Sequence, residues 1–341
     1  MRVTLKDIAE RSGFSVPTVS QILNNNAHLF KAGTRKRVLA AARELGYRPN
    51  SAARTMRSGR FGCVALLQST DYVRSNLPRG LLDGIHDGLA DQGLILMLAK
   101  LPDEKLTSEG YVPTILRQWT ADALIIDYNI NVPDRMSRLI REHGIPSVWI
   151  NTKGNADCVR PDDFEAGQRA TKALLKLGHE RIAYADFHFD PPQKHYSRAD
   201  RYEGYAKGMK EAGLKPILLA PKWPKRAQDA VDVARRHLAP AGRPTAVVAY
   251  SAQTGAAAFM LAARDMGLDV PADLSVVTFH DEPVDVFMRP VATMTVPVYE
   301  VGTSAVSVLL KKLASPERAV KPVVLRFGFS EGETLAKAPK G

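Results

Sequence analysis

From Cys63 onward the chain alternates apolar runs of strand length with stretches of helical periodicity, and that alternation limits the fold more than any other feature. The runs are CVALLQ, LILMLA, ALIID and SVWI, then RIAYA, PILLA, TAVVAY and LSVVTF. Near-continuously apolar strands are covered on both faces, and strands separated by helices are joined by crossovers, so the pattern predicts parallel sheets flanked by helices. Eight such strands divide into two similar halves near residue 160, giving two doubly wound lobes with a cleft between them. Small ligands of such folds lie at the carboxyl ends of the strands, where the lobes face each other.

The first sixty residues follow a different rule. Leu5, Ile8 and Ala9 fall at i, i+3, i+4, and Val19, Ile22 and Leu23 repeat that spacing, so two short helices are expected. Gly13 suits the left-handed residue that ends the first, Ser15 can cap the second, and Pro17 is tolerated in its first turn. A connection of about three residues forces the two helices to cross steeply, as in a helix-turn-helix. A third stripe at Val38, Ala42 and Leu45 starts after Thr34, a candidate cap, and stops at Gly46. The polar face of the second helix carries Thr18, Ser20, Gln21 and Asn24, short groups suited to phosphates and base edges.

Charge separates the same two regions. Residues 1–60 hold 12 Lys and Arg against 3 Asp and Glu, while the rest holds 35 against 33. A basic head on a nearly neutral body is the electrostatic footprint of polyanion binding, because neutralised phosphates release condensed counterions; a solvated basic surface is the other reading.

Other classes are disfavoured. The start, MRVTLKDIAERSG, is charged where a secretory signal needs an apolar core, so a cytoplasmic protein is expected. No run approaches the ~18 apolar residues of a membrane span. Cys63 and Cys158 lie far apart with no CxxC or Cys/His cluster, so buried thiols are expected and neither a disulfide nor a metal. No GxSxG, P-loop, HExxH or GxGxxG element occurs, and neither catalysis nor a cofactor is expected.

TLKDIAERSGFSVPTVSQILN, followed by TRKRVLAAARELGYRPNSAARTMRSGR, resembles the head and hinge of the lactose-repressor (LacI/GalR) family. The resemblance continues through LLKLGHERIAY, RYEGYAKGMKEAGL, GLDVPADLSVVTFHD and RPVATMTVP, in family order. It implies an all-α helix-turn-helix head (1–48), a hinge (49–60), a two-lobed α/β body like periplasmic sugar-binding proteins (61–330, with crossovers near 290 and 320) and a polar tail (331–341). It further implies a homodimer on a pseudo-palindromic double-stranded DNA operator, controlled by a small carbohydrate-related effector. No leucine-heptad tail follows residue 330, which favours a dimer over a coiled-coil tetramer.

Carried over residue by residue, the resemblance makes Val16, Pro17 and Gln21 base-facing and Thr4, Ser15, Thr18, Ser20 and Asn24 backbone contacts. Gln21 stands where the family usually has Arg. Since Arg pairs best with guanine and Gln with adenine, an altered operator is expected. In the hinge, Asn50 and Ala53 join Met56, which occupies the position of the wedge that opens a base step, unless Met56 simply packs on the body. In the body, Arg201 matches the ligand-binding arginine, or pairs at the surface with Asp200 or Glu203, on a helix that Ser197 would cap. Trp223 matches a ring that stacks on a sugar face, or is a core or loop tryptophan. Ser251 and Ala252 replace an Asn-Asp pair, and His280 replaces an Asp. With Arg201, His280 could favour an acidic sugar, or it could be a packing histidine. An effector-blind DNA-binding protein and a solute-binding protein remain the competing readings.

Overall fold

A computed structural model describes residues 3–23, 27–48, 59–71, 74–102, 115, 120–130, 132–187, 194–220 and 227–339. It divides into a unit up to Phe61 and a unit from Gly62.

The first unit contains helices α1 (Leu5–Ser12), α2 (Val16–Leu23) and α3 (Ala32–Glu44), with a 3-10 turn at Ala27–Leu29. Thr4 and Asp7 form a capping box: Asp7 accepts from the Thr4 amide at 2.7 Å, and the Thr4 hydroxyl accepts from the Asp7 amide at 3.4 Å. Gly13 ends α1 at φ 75°, a conformation open to glycine at no steric cost. The Ser15 hydroxyl then accepts from the Thr18 amide at the start of α2. Arg37 of α3 closes the corner by donating to the Ser12 carbonyl at 2.9 Å while lying over the Phe14 ring. The third helix begins earlier than its stripe suggests: Lys31 precedes it without a side-chain cap, and Thr34 lies inside its first turn. The three stripes meet in a core of Ile8, Ala9, Val19, Ile22, Val38, Ala41 and Ala42. Each buried Val or Ile contributes about 1.5–3 kcal/mol, against under ~1 kcal/mol for the exposed Arg11–Glu44 ion pair.

The second unit holds two sheets. The first comprises β1 (Cys63–Ser69), β2 (Ile95–Leu101), β3 (Ala123–Asp127), β4 (Ser147–Ile150), β5 (Cys158–Pro161) and β12 (Val323–Leu325), ordered β12-β5-β4-β3-β1-β2 and all parallel. The second comprises β6 (Ile182–Ala185), β7 (Ile217–Leu219), β8 (Ala246–Ala249), β9 (Ser275–His280), β10 (Val284–Val286), β11 (Arg289–Thr295) and β13 (Gly328–Ser330). There β7-β6-β8-β9-β11 run parallel, and β10 and β13 pair antiparallel with β11.

Helices α4 (Arg79–Ala90), α5 (Asp134–Glu142), α6 (Asp163–Lys176), α7 (Tyr196–Glu211), α8 (Ala227–Leu238), α9 (Ala257–Asp265) and α10 (Val298–Ala314) cover the sheets. Period-2 alternation splits β1 between two cores: Val64 and Leu66 face α4 and α10, while Ala65 and Leu67 face α5 with Tyr128 and Met136. Every residue of β1 is therefore buried, which is why its sequence reads as an unbroken apolar run. Both cysteines are free and buried. Among the described residues no helix is long and apolar enough to cross a membrane.

The chain passes between the sheets three times, from β5 to α6, from β11 to α10 and from β12 to β13. Residues 331–339 do not leave the body. Thr334, fully buried, donates to the Val276 carbonyl at 2.6 Å and accepts from the Ala292 amide at 2.9 Å, stitching this segment to the second lobe.

Two helix pairs touch through their main chains. A Cβ on Gly167 of α6 would lie 2.1 Å from the Arg201 carbonyl oxygen, and one on Gly204 of α7 would lie 2.0 Å from that of Phe164. The same approach joins α4 to α10, where a Cβ on Gly84 would meet the Tyr299 carbonyl oxygen at 2.2 Å. The α6–α7 approach brings Arg201 beside Asp163, at the carboxyl end of the second sheet.

Candidate functional site

Two regions carry chemistry. In the head, Val19 and Ile22 anchor α2 in the core, and the opposite side presents Val16, Pro17 and Gln21 to solvent. Thr18 and Ser20 flank this face half-buried. Ser15 is exposed, with its hydroxyl 2.9 Å from that of Thr18, and Thr4 is exposed with its hydroxyl engaged in the capping box. The product is a short rod with a contiguous outward edge of polar and small apolar groups, the geometry a major groove admits. Asn24, Asn50, Ala53, Met56 and Trp223 lie outside the described residues.

In the body, a cavity of about 240 Å³ opens between the two sheets. The first lobe lines it with Asn76, Asn129 and Asn151 over an apolar floor that includes Leu81 and Val301. The second contributes Asp163, His195, Ser197, Arg201, Tyr250 and Asp281. Of the expected effector residues that fall among the described residues, only Arg201 is there. Its Nε donates to Asp163 at 2.7 Å, and its guanidinium lies over the rings of Tyr250, Phe279 and Phe327. The partner is thus a buried carboxylate from α6 rather than Asp200 or Glu203. Burial opposes the arginine's charge, and the Asp163 carboxylate, with smaller contributions from Tyr250 and Tyr184, more than offsets that penalty, so Arg201 stays protonated.

Ser251 and His280 are not in this lining. They sit outside it, linked through Gln253, whose amide lies 3.4 Å from the Ser251 hydroxyl and 3.2 Å from His280 Nε2. Strand alternation accounts for this placement: Tyr250 continues the face of Ala246 and Val248 toward α6 and α7, which leaves Ser251 on the other face. After β9 it is Asp281, not His280, that reaches the cavity, and burial pushes its carboxyl above the usual range although His280 and Arg201 oppose this.

Ser197 does not cap α7. His195 does, accepting from the Ser197 amide through Nδ1 at 3.3 Å. The same ring joins the lobes, because its Nε2 donates to the Asn151 carbonyl at 2.9 Å. The Ser197 hydroxyl lies 2.8 Å from His195 Nδ1 and 3.0 Å from the Tyr250 hydroxyl, which extends the chain of hydrogen bonds to β8. Two further bonds cross nearby: Tyr196 to the Asn151 side chain at 3.3 Å, and Lys153 to Asp200 at 2.6 Å.

Burial pushes His195 below its ordinary value against the Asn151 carbonyl, which favours the protonated ring. A folded-state value below that of the unfolded chain means this contribution is present above about pH 6.5 and is lost as the pH falls below it. His195→Asn, which can still cap a helix but is too short to reach Asn151, is expected to lower the thermal midpoint at pH 8. It should also remove the part of the acid sensitivity that His195 confers. Parallel midpoint curves for variant and parent between pH 5 and 8 would discard this role.

These inward residues carry little signal in the sequence. Asn129, Asn151, Tyr250 and Asp281 each follow a strand end by one or two positions, and that placement is the one clue to them. The side-chain oxygen Oδ1 of Asn129, a residue of the cavity lining, is buried without a hydrogen-bond partner among the described residues.

Comparison with known proteins follows this division. Residues 4–50 match the model for bacterial regulatory proteins of the lacI family, and residues 171–335 match a periplasmic binding protein-like domain. The HTH-type transcriptional regulator RegA of Clostridium saccharobutylicum is 29% identical over 98% of this chain and 99% of its own length. The HTH-type transcriptional repressor PurR of Vibrio vulnificus (strain CMCP6) is 28% identical over 92% and 93%. Among solved structures, the Lac repressor dimer bound to operator and the anti-inducer ONPF superposes with a TM-score of 0.74 at 22% identity, covering 98% of this chain and all of that one.

Proposed function

Because this chain belongs to the LacI family of bacterial regulatory proteins, a family of transcription regulators rather than enzymes, we propose that it is a cytoplasmic, non-catalytic repressor whose operator affinity is set by a small effector held between its lobes. The observation that carries the reading is the exposed edge of α2, with Val16, Pro17 and Gln21 outward on a head rich in Lys and Arg. Phosphate contacts supply affinity, and the edge reads bases.

Two apolar surfaces on the body support assembly with a second copy. Edge strand β2 leaves Ile95 62% and Leu98 53% exposed, and the tip of the β10–β11 hairpin leaves Phe287 56% and Met288 94% exposed. A symmetric dimer places two recognition helices about one helical turn, ~34 Å, apart on a pseudo-palindrome.

The cavity favours a neutral, hydroxyl-rich effector over an acidic one. Its arginine is already paired, its histidine is held neutral, and Asp281 adds a second carboxylate, so the lining has no surplus positive charge for an anion. The three asparagines and two carboxylates offer both acceptors and donors, the groups that hydroxyls of a sugar ring pair with.

Selection of binding sites from random duplexes, using the purified protein, tests the reading. A pseudo-palindrome with adenine at the base facing residue 21 is expected, and Gln21→Ala should lose about 1–3 kcal/mol of discrimination at that position alone. Equal retention of selected and random duplexes at moderate salt would remove the regulator reading, whereas guanine at that base in both proteins would remove the role of Gln21.

A further inference from the structure

We infer that Tyr250 is the wall that limits the effector to a single ring, and that it shuts a second arginine out of the cavity. This deepens the carbohydrate reading above and rests on it for the identity of the ligand, though not for the position of the wall.

Tyr250 follows β8 directly and lines the cavity. Its ring is held by two guanidiniums, Arg201 with its carbon 5.1 Å and Arg198 with its carbon 4.9 Å from the ring centroid. Its hydroxyl is held 3.0 Å from that of Ser197. Each arginine is in turn fixed by a buried carboxylate, Arg201 by Asp163 and Arg198 by Asp186 at 3.5 Å. A side chain restrained at its face and at its tip cannot swing aside at low cost, so the volume it occupies is denied to the ligand. What remains, about 240 Å³, falls below the roughly 300–1,000 Å³ typical of pockets for drug-sized molecules and suits one sugar ring.

Arg198 is absent from the cavity lining, its side chain is 12% exposed, and its buried Nη1 meets Asp186 only as a loose ion pair at 3.5 Å, without a hydrogen bond among the described residues. Buried polar groups are nearly always hydrogen-bonded, so a guanidinium held only by a loose ion pair behind a removable ring has donor capacity to offer a ligand. With the phenol gone, the cavity gains both length and a donor at its far end, the combination that a second, hydroxyl-bearing ring would use.

The test uses the full-length protein with Tyr250→Ala and Tyr250→Phe. Tyr250→Leu, which keeps part of the apolar packing, carries the same expectation as alanine should alanine unfold the lobe. Arginine modification by phenylglyoxal, read by peptide mass spectrometry, needs no effector: Arg198 should be protected in the parent and in Tyr250→Phe. In Tyr250→Ala it should react at the rate of Arg79, whose side chain is 89% exposed. Thermal shift is then measured with ribose, glucose and galactose, and with cellobiose, maltose and lactose. Monosaccharides alone should shift the parent and Tyr250→Phe, and the disaccharides should shift Tyr250→Ala. Continued protection of Arg198 in both shortened variants, or a parent shifted by disaccharides as strongly as by monosaccharides, overturns the assignment. Release of Arg198 with no response to any of the six sugars upholds the wall and overturns the carbohydrate reading.

Discussion

Replacing Asp163 with alanine is expected to lower the unfolding free energy of the body by about 3–5 kcal/mol, because it strands a buried cation. Asp163 is 1% exposed, and the Arg201 side chain it meets at 2.7 Å is 11% exposed beneath three aromatic rings. The pair itself adds little beyond what a well-packed apolar pair would give, since two charges were taken from water to form it. The cost arises from removing one partner and leaving the other. The double variant Asp163→Leu with Arg201→Met should therefore recover most of the stability while losing the effector response. Urea unfolding of the full chain, followed by circular dichroism, measures both. A single variant within about 1 kcal/mol of the parent would show that water reaches Arg201 freely.

The second large effect is one of pH. Asp127 ends β3, is fully buried and accepts from the Gln68 amide at 2.8 Å, while its other oxygen has no hydrogen-bond partner among the described residues. Burial pushes its carboxyl up to about 7, only partly offset by the Gln68 bond. A carboxyl raised in the folded state gives its full stability below the unfolded value, near 4, and loses it as the pH rises through about 7. Asp127→Asn keeps the shape and cannot ionise. It should match the parent at pH 4 and exceed it at pH 8 by on the order of 3 kcal/mol. Urea midpoints at the two pH values decide it, and an equal difference at both would mean that Asp127 does not titrate there. His195 acts in the opposite direction over the same range, so the parent's profile is flatter than either group alone would make it. The two single variants separate them.

Elements that bury both faces of a strand, or one stripe of a helix, were legible because burial writes period into sequence. All eight strands expected from apolar runs are present, and so are the three helices of the head. No expected run marks β5, β10, β11, β12 or β13: β10, β12 and β13 are three residues long and partly exposed, and Arg and Pro interrupt the apolar pattern of β5 and β11. The last two crossovers fall a few residues beyond 290 and 320 because no composition change accompanies them.

The cavity was half legible. Arg201 stood out through its motif, whereas Asn76, Asn129 and Asn151 read as ordinary turn residues, which is what asparagine most often is. Serine is the stronger capping residue by type, yet His195 takes the cap because its ring also reaches Asn151 on the other lobe. Ser251 and His280 were expected inside because motif position says nothing of which neighbour faces inward. The alternation of β8 decides that for Tyr250.

The glycine contacts impose a rule on how this protein can be altered. Where α6 meets α7, and α4 meets α10, main chain rests on main chain and no side chain lies between to repack around an insertion. A library of variants selected for a new inducer should therefore accumulate exchanges around the cavity rim, while codons 84, 167 and 204 stay fixed in every survivor. Recovery of alanine or serine at these three codons as often as at exposed Gly242, where a Cβ would meet nothing within 4 Å, would show the ridges to be more yielding than their geometry allows.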